Sequence, residues 1–150
     1  MVISKNPNKN TGKASEAEFE ERLLEAYKKR VHIYRIVDAA EIVGRSKGKQ
    51  TAAVPATPAD YIITADGRMM YAEVKSTINR TSFDTSKITI GQKGAARKQA
   101  IANGEYFFFI NCLPTNTWYQ VPALFILDHE KKSIKWTELE QFKWTKNSLM

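Results

Sequence analysis

Apolar positions recur every three or four residues near the start of this chain and nearly every two further along, which divides it into helical and extended segments. Over residues 15–30, Phe19, Leu23, Leu24 and Tyr27 fall at helical spacing and are expected to face a core. Ser15 is the candidate N-cap of that helix, with Glu16, Glu18, Glu20 and Glu21 placed near the positive end of its dipole. Residues 31–37 alternate loosely and suggest a first strand. Residues 58–75, PADYIITADGRMMYAEVK, have the pattern of a tight hairpin. If Asp66-Gly67 is its two-residue turn, facing positions have numbers that sum to 133, which sets Asp60 opposite Glu73.

Downstream, the mostly polar run STINRTSFDTSKITIGQ is expected to be a connecting loop with some extended structure. A basic helix over 92–103 is closed by Gly104 as a C-cap residue, and a buried strand follows over 105–113. Residues 114–117 supply a turn into a strand over 118–121, and Pro122 opens a short helix as a first-turn residue. The tail, WTELEQFKW, reads as another short helix or a docked extension. The expected order is one helix, three strands, one helix, two strands, one helix. The three successive phenylalanines 107–109 exceed what one strand face buries. They imply either a sheet covered on both sides or a dimer contact.

At 150 residues the chain is expected to form one domain over 15–150, preceded by a flexible basic arm over 1–14. With 43% hydrophobic and 26% charged residues it has globular rather than disordered composition. A net charge of +7 favours polyanionic partners, nucleic acid before anionic membrane. No apolar run approaches the length of a membrane span, and the first residues lack the apolar core of a signal peptide. The single Cys112 cannot form an internal disulfide and reads as a small buried hydrophobe; zinc bound by clustered cysteines is excluded. An intracellular, cytoplasmic setting is expected, associated with the nucleoid or, for a viral protein, within the host cell.

The candidate chemistry lies at the open end of the hairpin. Like charges placed opposite each other destabilise a sheet, so Asp60 facing Glu73 suggests a divalent cation between them. Lys75 shares their face, because side chains two apart on a strand point the same way. Phosphodiester hydrolysis requires an activated water and a counter to the charge that develops on phosphorus. Magnesium or manganese supplies both from oxygen ligands. Asp60 and Glu73 provide carboxylates, and the Val74 carbonyl lies between them as a third ligand. Lys75 can orient or deprotonate water, or stabilise the phosphorane by its charge. Glu16 and Glu20, four apart on one helix face, are both candidates for a further acid. By itself a D…ExK pattern is common on solvated strands; the mirror pairing across Asp-Gly and the basic charge give it meaning.

PADYII followed by YAEVKST resembles the PD-(D/E)XK nuclease superfamily. The run EVKSTINRTSF…IGQ, then a basic helix, then GEYFFFI is similar to the RecU-type Holliday junction resolvases. Archaeal Hjc-type resolvases resemble the chain as well, with a glycine followed four residues later by a glutamate in the first helix, here Gly12 and Glu16. The resemblance extends over roughly residues 12–123. It implies a restriction-endonuclease-like α/β core, a central mixed β-sheet of about five strands flanked by helices. It also implies a homodimeric, magnesium- or manganese-dependent endonuclease that nicks four-way DNA junctions symmetrically. Carried over, Glu16, Asp60, Glu73 and Val74 hold metal, Lys75 serves the water, and Gln92 sits beside the site. The segment before Asp60 is shorter than the protruding stalk of RecU-type proteins, with 45–55 a reduced version of it.

Basic and hydroxylated residues cluster where such an enzyme would hold DNA. Arg45, Lys47 and Lys49 lie in an exposed, flexible segment over 45–57, Arg80, Thr81, Ser82 and Lys87 follow the hairpin, and Lys93, Arg97 and Lys98 lie on the basic helix. His32 and His129 lack partners at metal-ligand spacing, Trp118, Trp136 and Trp144 suit core or interface packing, and Gly91 and Gly94 match no phosphate-binding loop. Two other functions stay open: a restriction- or repair-type endonuclease acting on duplex or flap DNA, and a non-catalytic DNA-binding protein on a nuclease scaffold.

Overall fold

The computed structural model describes residues 11–37 and 57–150. Most of the basic arm, the 45–56 segment and the candidates Arg45, Lys47 and Lys49 lie outside the described residues. Helix α1 (Thr11–Tyr27) is followed by a 3₁₀ turn (Lys28–Arg30) and strands β1 (Val31–Arg35), β2 (Tyr61–Ala65) and β3 (Arg68–Thr77). Then come β4 (Ser82–Asp84), α2 (Ile90–Ile101), β5 (Glu105–Cys112), β6 (Thr117–Pro122), α3 (Ala123–Leu127), β7 (Ser133–Lys135) and a 3₁₀ segment (Trp136–Phe142).

The main sheet has five strands in the order β1-β2-β3-β5-β6, with β3 and β5 parallel and every other pair antiparallel. This is the expected mixed sheet. Asp66 and Gly67 both have positive φ, as a two-residue hairpin turn requires, and they fix Ala65 opposite Arg68 and Tyr61 opposite Ala72. Every pair in that hairpin follows the register read from the sequence.

Both sheet faces are covered, which accounts for the three phenylalanines. Phe109 and the half-buried Phe107 pack with Phe19, Leu23 and Tyr27 of α1 and with Trp118 and Trp144. Phe108 turns to the other side, among Ala96 of α2, Ala123 and Ile126 of α3, and Phe83 and Ile134. Phe19 lies with its ring centroid 4.6 Å from Phe109 and 5.3 Å from Tyr61, so α1 is fastened directly behind the hairpin. Trp118, Trp136 and Trp144 are buried, as is Cys112.

Several boundaries differ from expectation. Helix α1 begins at Thr11, so Ser15 is an interior residue, and its buried hydroxyl accepts from Asn111 Nδ2 at 3.4 Å. Leu24 is exposed, because the apolar stripe runs through positions 19, 23 and 27 at intervals of four and leaves 24 to one side. At the end of α2, Asn103 takes the left-handed conformation instead of Gly104. The amides of Asn103 and Gly104 bond to the carbonyls of Ala100 and Gln99 in a complete Schellman motif. Pro122 ends β6 and stands at the N-cap of α3, one place before the first turn. The polar stretch after Lys75 contains β4, which pairs with β7 as a separate two-stranded ribbon. Among the described residues, no helix is long and apolar enough to cross a membrane.

Candidate active site

Asp60 sits one residue before β2, where the hairpin ladder ends. Its position is fixed from four directions. Its amide donates to Glu73 Oε2 at 3.0 Å, its carbonyl accepts from the Ile36 amide at 2.8 Å, and its Oδ2 accepts from the Val74 amide at 2.8 Å. Two residues upstream, the Pro58 carbonyl accepts from the buried Tyr106 hydroxyl at 2.6 Å. The two carboxylates thus replace ladder partners at the point where β2 leaves β3. Within a strand, the amide and carbonyl of one residue leave along the same edge, so the Val74 carbonyl faces the same opening as Asp60.

Glu73 is held as tightly. Its side chain is only 3% exposed, and Oε1 receives the Gln92 amide Nε2 at 2.7 Å and the Lys75 ammonium at 3.4 Å. Gln92 reaches it because α2 opens with a capping box. The Gln92 amide donates to Thr89 Oγ1 at 3.1 Å, and the Thr89 amide donates to Gln92 Oε1 at 2.9 Å. One end of the Gln92 side chain therefore closes the helix and the other holds Glu73. Thr89 and Gln92 have the spacing of this box in the sequence, so the signal was present there.

The electrostatics are those of a pair short of positive charge. Burial, then the Asp60 charge, pushes the Glu73 carboxyl up to about 8, against the opposing pull of Lys75. Burial also raises Asp60, although the Val74 amide, Lys75 and Arg35 pull it down. Without a cation the pair retains a proton well above the ordinary carboxylate range. This donor set suits a hard divalent cation: a buried and a half-buried carboxylate whose ionisation a 2+ charge would restore, with a backbone carbonyl facing the same gap.

Glu16 stands apart from this group. It is carried by α1, behind the sheet, and pairs with Arg35 Nη2 at 3.5 Å. The Arg35 charge also lowers Asp60, and Glu16, with Glu20, helps to raise the buried Tyr61 phenol, the neighbour of Asp60. Among the described residues, no group of three or more His, Cys, Asp or Glu side chains is gathered closely enough to hold a metal. Asp60, Glu73, Lys75 and Gln92 are brought together; Glu16 adjoins them through Arg35. Arg35 was not singled out in the sequence, and Tyr106 entered only as part of the apolar run GEYFFFI.

The basic candidates spread outward from here. Arg80, Lys87, Lys98 and Thr81 are exposed, Lys93 is half-buried, and Arg97 pairs with Asp128 at 3.5 Å. The amides of Thr81 and Ser82 and the Thr81 hydroxyl bond Asn79 Oδ1, so these groups brace their own loop. His32 is exposed, and His129 pairs with Glu138 at 3.2 Å.

No protein-family model matches the chain, and no curated protein matches it. Among solved structures, Archaeoglobus fulgidus Hjc, a Holliday junction resolvase from an archaeal hyperthermophile, matches with a TM-score of 0.51. Sequence identity is 16%, and the match covers 83% of this chain and 92% of that chain. At that identity the likeness is one of fold. A five-stranded mixed sheet flanked by helices, similar in fold to that structure, makes this chain a restriction-endonuclease-like α/β protein.

Proposed function

We propose that the protein is a metal-dependent DNA endonuclease that resolves four-way junctions by paired nicks. The observation that carries the reading is the pairing of half-buried Asp60 with buried Glu73 at the divergence of β2 and β3, with Lys75 at 3.4 Å from Glu73. The fold shared with an archaeal junction resolvase supports the choice of substrate.

Asp60, Glu73 and the Val74 carbonyl would hold magnesium or manganese, with Glu16 as an outer acid. When bound, the ion supplies Lewis-acid stabilisation of the phosphate and an acidified water. Gln92 fixes the orientation of Glu73 from the helix side, and the Val74 amide fixes Asp60. Lys75 places a positive charge beside Glu73, where negative charge develops as water adds to phosphorus and the bridging oxygen departs. A symmetric homodimer would present two such centres to a near-symmetric junction, one to each nicked strand. Outside the site, Arg80, Lys87, Lys93, Arg97 and Lys98, together with Arg45, Lys47 and Lys49, would bind phosphates without reading sequence.

Cleavage rates on labelled four-way junction, linear duplex and flap in magnesium distinguish the substrate classes. Junction cutting on the order of 10²-fold faster than duplex is expected, the scale of a single well-oriented catalytic contact. Equal rates on linear duplex would remove junction resolution and leave a duplex nuclease.

A further inference from the structure

Helix α2 and the loop between α3 and β7 enclose an open cleft of about 420 Å³. Its α2 wall consists of Ile90, Lys93, Gly94 and Arg97, which fall at successive three- and four-residue steps and so form one helix face. That stripe is roughly 10 Å long at helical rise. Lys131 and Lys132 line the facing wall. Arg97 is partly matched by Asp128, and Glu130 also lines the cleft. Among the described residues, Lys93, Lys131 and Lys132 form no ion pair. Gln92, whose side chain bonds Glu73, leaves α2 on a different face from this stripe, so the helix itself stands between the cleft and the acid pair.

Gly94 is the second observation. A glycine inside a helix weakens it relative to alanine. Nothing in the fold demands this one, because a Cβ added there would meet no atom within 4 Å. Its bareness keeps the wall between Lys93 and Arg97 low, which favours close approach of another backbone.

We propose that this cleft seats the sugar–phosphate backbone of DNA across α2 from the acid pair, with Lys131 and Lys132 as phosphate-binding residues and Gly94 as the point of closest approach. The proposal rests on the nuclease reading and extends it to a loop some thirty residues beyond the basic helix. Phosphates fit because the cleft gathers four cationic side chains against one acid on its lining, which holds His129 but no Phe, Tyr or Trp on which bases would stack.

The test is a titration of labelled four-way junction and duplex DNA in EDTA across a salt series, read by fluorescence anisotropy. It compares the wild-type protein, the double variant Lys131→Gln/Lys132→Gln, and Gly94→Gln. Both lysines are exposed, so the double variant is expected to melt like the wild type. It should bind both DNAs about 10-fold more weakly, with the slope of log affinity against log salt shallower by roughly 1 to 2. Gly94→Gln should melt higher than the wild type and bind DNA more weakly, a combination that a purely structural role for Gly94 would not produce. A wild type that cuts DNA while both variants bind with unchanged affinity and salt slope overturns the cleft proposal alone. A wild type that binds no DNA overturns the cleft and the nuclease reading together.

Discussion

Asp60→Asn is expected to slow junction cleavage on the order of 10³-fold while leaving junction binding within about 2-fold of the wild type. The side chain keeps its size, and its amide oxygen can still accept the Val74 amide hydrogen that Oδ2 now receives at 2.8 Å. The local backbone, held also by Ile36 and Tyr106, has no reason to move. What disappears is one of two charges available to a divalent cation. Binding persists because phosphate contacts come from basic side chains elsewhere, and losing a negative charge beside the DNA opposes none of them. Single-turnover cleavage and a gel shift in EDTA measure the two effects separately. Cleavage surviving at more than about a tenth of the wild-type rate would mean that the cation is held elsewhere.

Glu73→Gln is expected to stabilise the metal-free protein at pH 8 while it destroys activity. In the unfolded chain Glu73 titrates near its ordinary value of 4.5; in the folded protein burial and the Asp60 charge hold it near 8. Between those values the folded state keeps a proton that the unfolded state has released. The stability from that proton is complete below about pH 4.5 and is lost as pH rises through about 8. The wild-type protein in EDTA should therefore melt at progressively lower temperature from pH 5 to pH 8. A neutral glutamine in the same pocket removes this slope and leaves the variant the more stable protein at pH 8. Magnesium should raise the wild-type melting temperature at pH 8, since it binds the folded state, and should have little effect on the variant. Melting curves of both proteins from pH 5 to 8, with and without magnesium, measure the difference. Parallel pH slopes for the two proteins would show that Glu73 is ionised throughout and that its pocket is not short of positive charge.

The parts of this molecule that were legible in its sequence are those set by local geometry. Asp-Gly fixed a turn, the turn fixed a register, and the register brought Asp60 to Glu73 across two strands. The alternating and periodic runs gave both main helices and the five sheet strands. What escaped was decided by contacts distant in sequence. Ser15 looks like a cap, but its hydroxyl is taken by Asn111, nearly a hundred residues away, and the helix begins earlier. The β4–β7 ribbon joins two three-residue strands some fifty residues apart, too short to carry a period. Gln92 was marked as a neighbour of the site only by resemblance. The capping box with Thr89 gives the physical reason that it points there. Arg35, which joins Glu16 to the field of Asp60, is a lone arginine at a strand end and becomes meaningful only after folding.

The most direct test of a metal-dependent nuclease at Asp60 and Glu73 is incubation of an end-labelled four-way junction with the protein in magnesium or in EDTA, resolved on a denaturing gel. Paired nicks at symmetric positions in opposing strands, present with magnesium and absent with EDTA, are the predicted result. No metal-dependent cleavage of junction, duplex or flap would contradict the account.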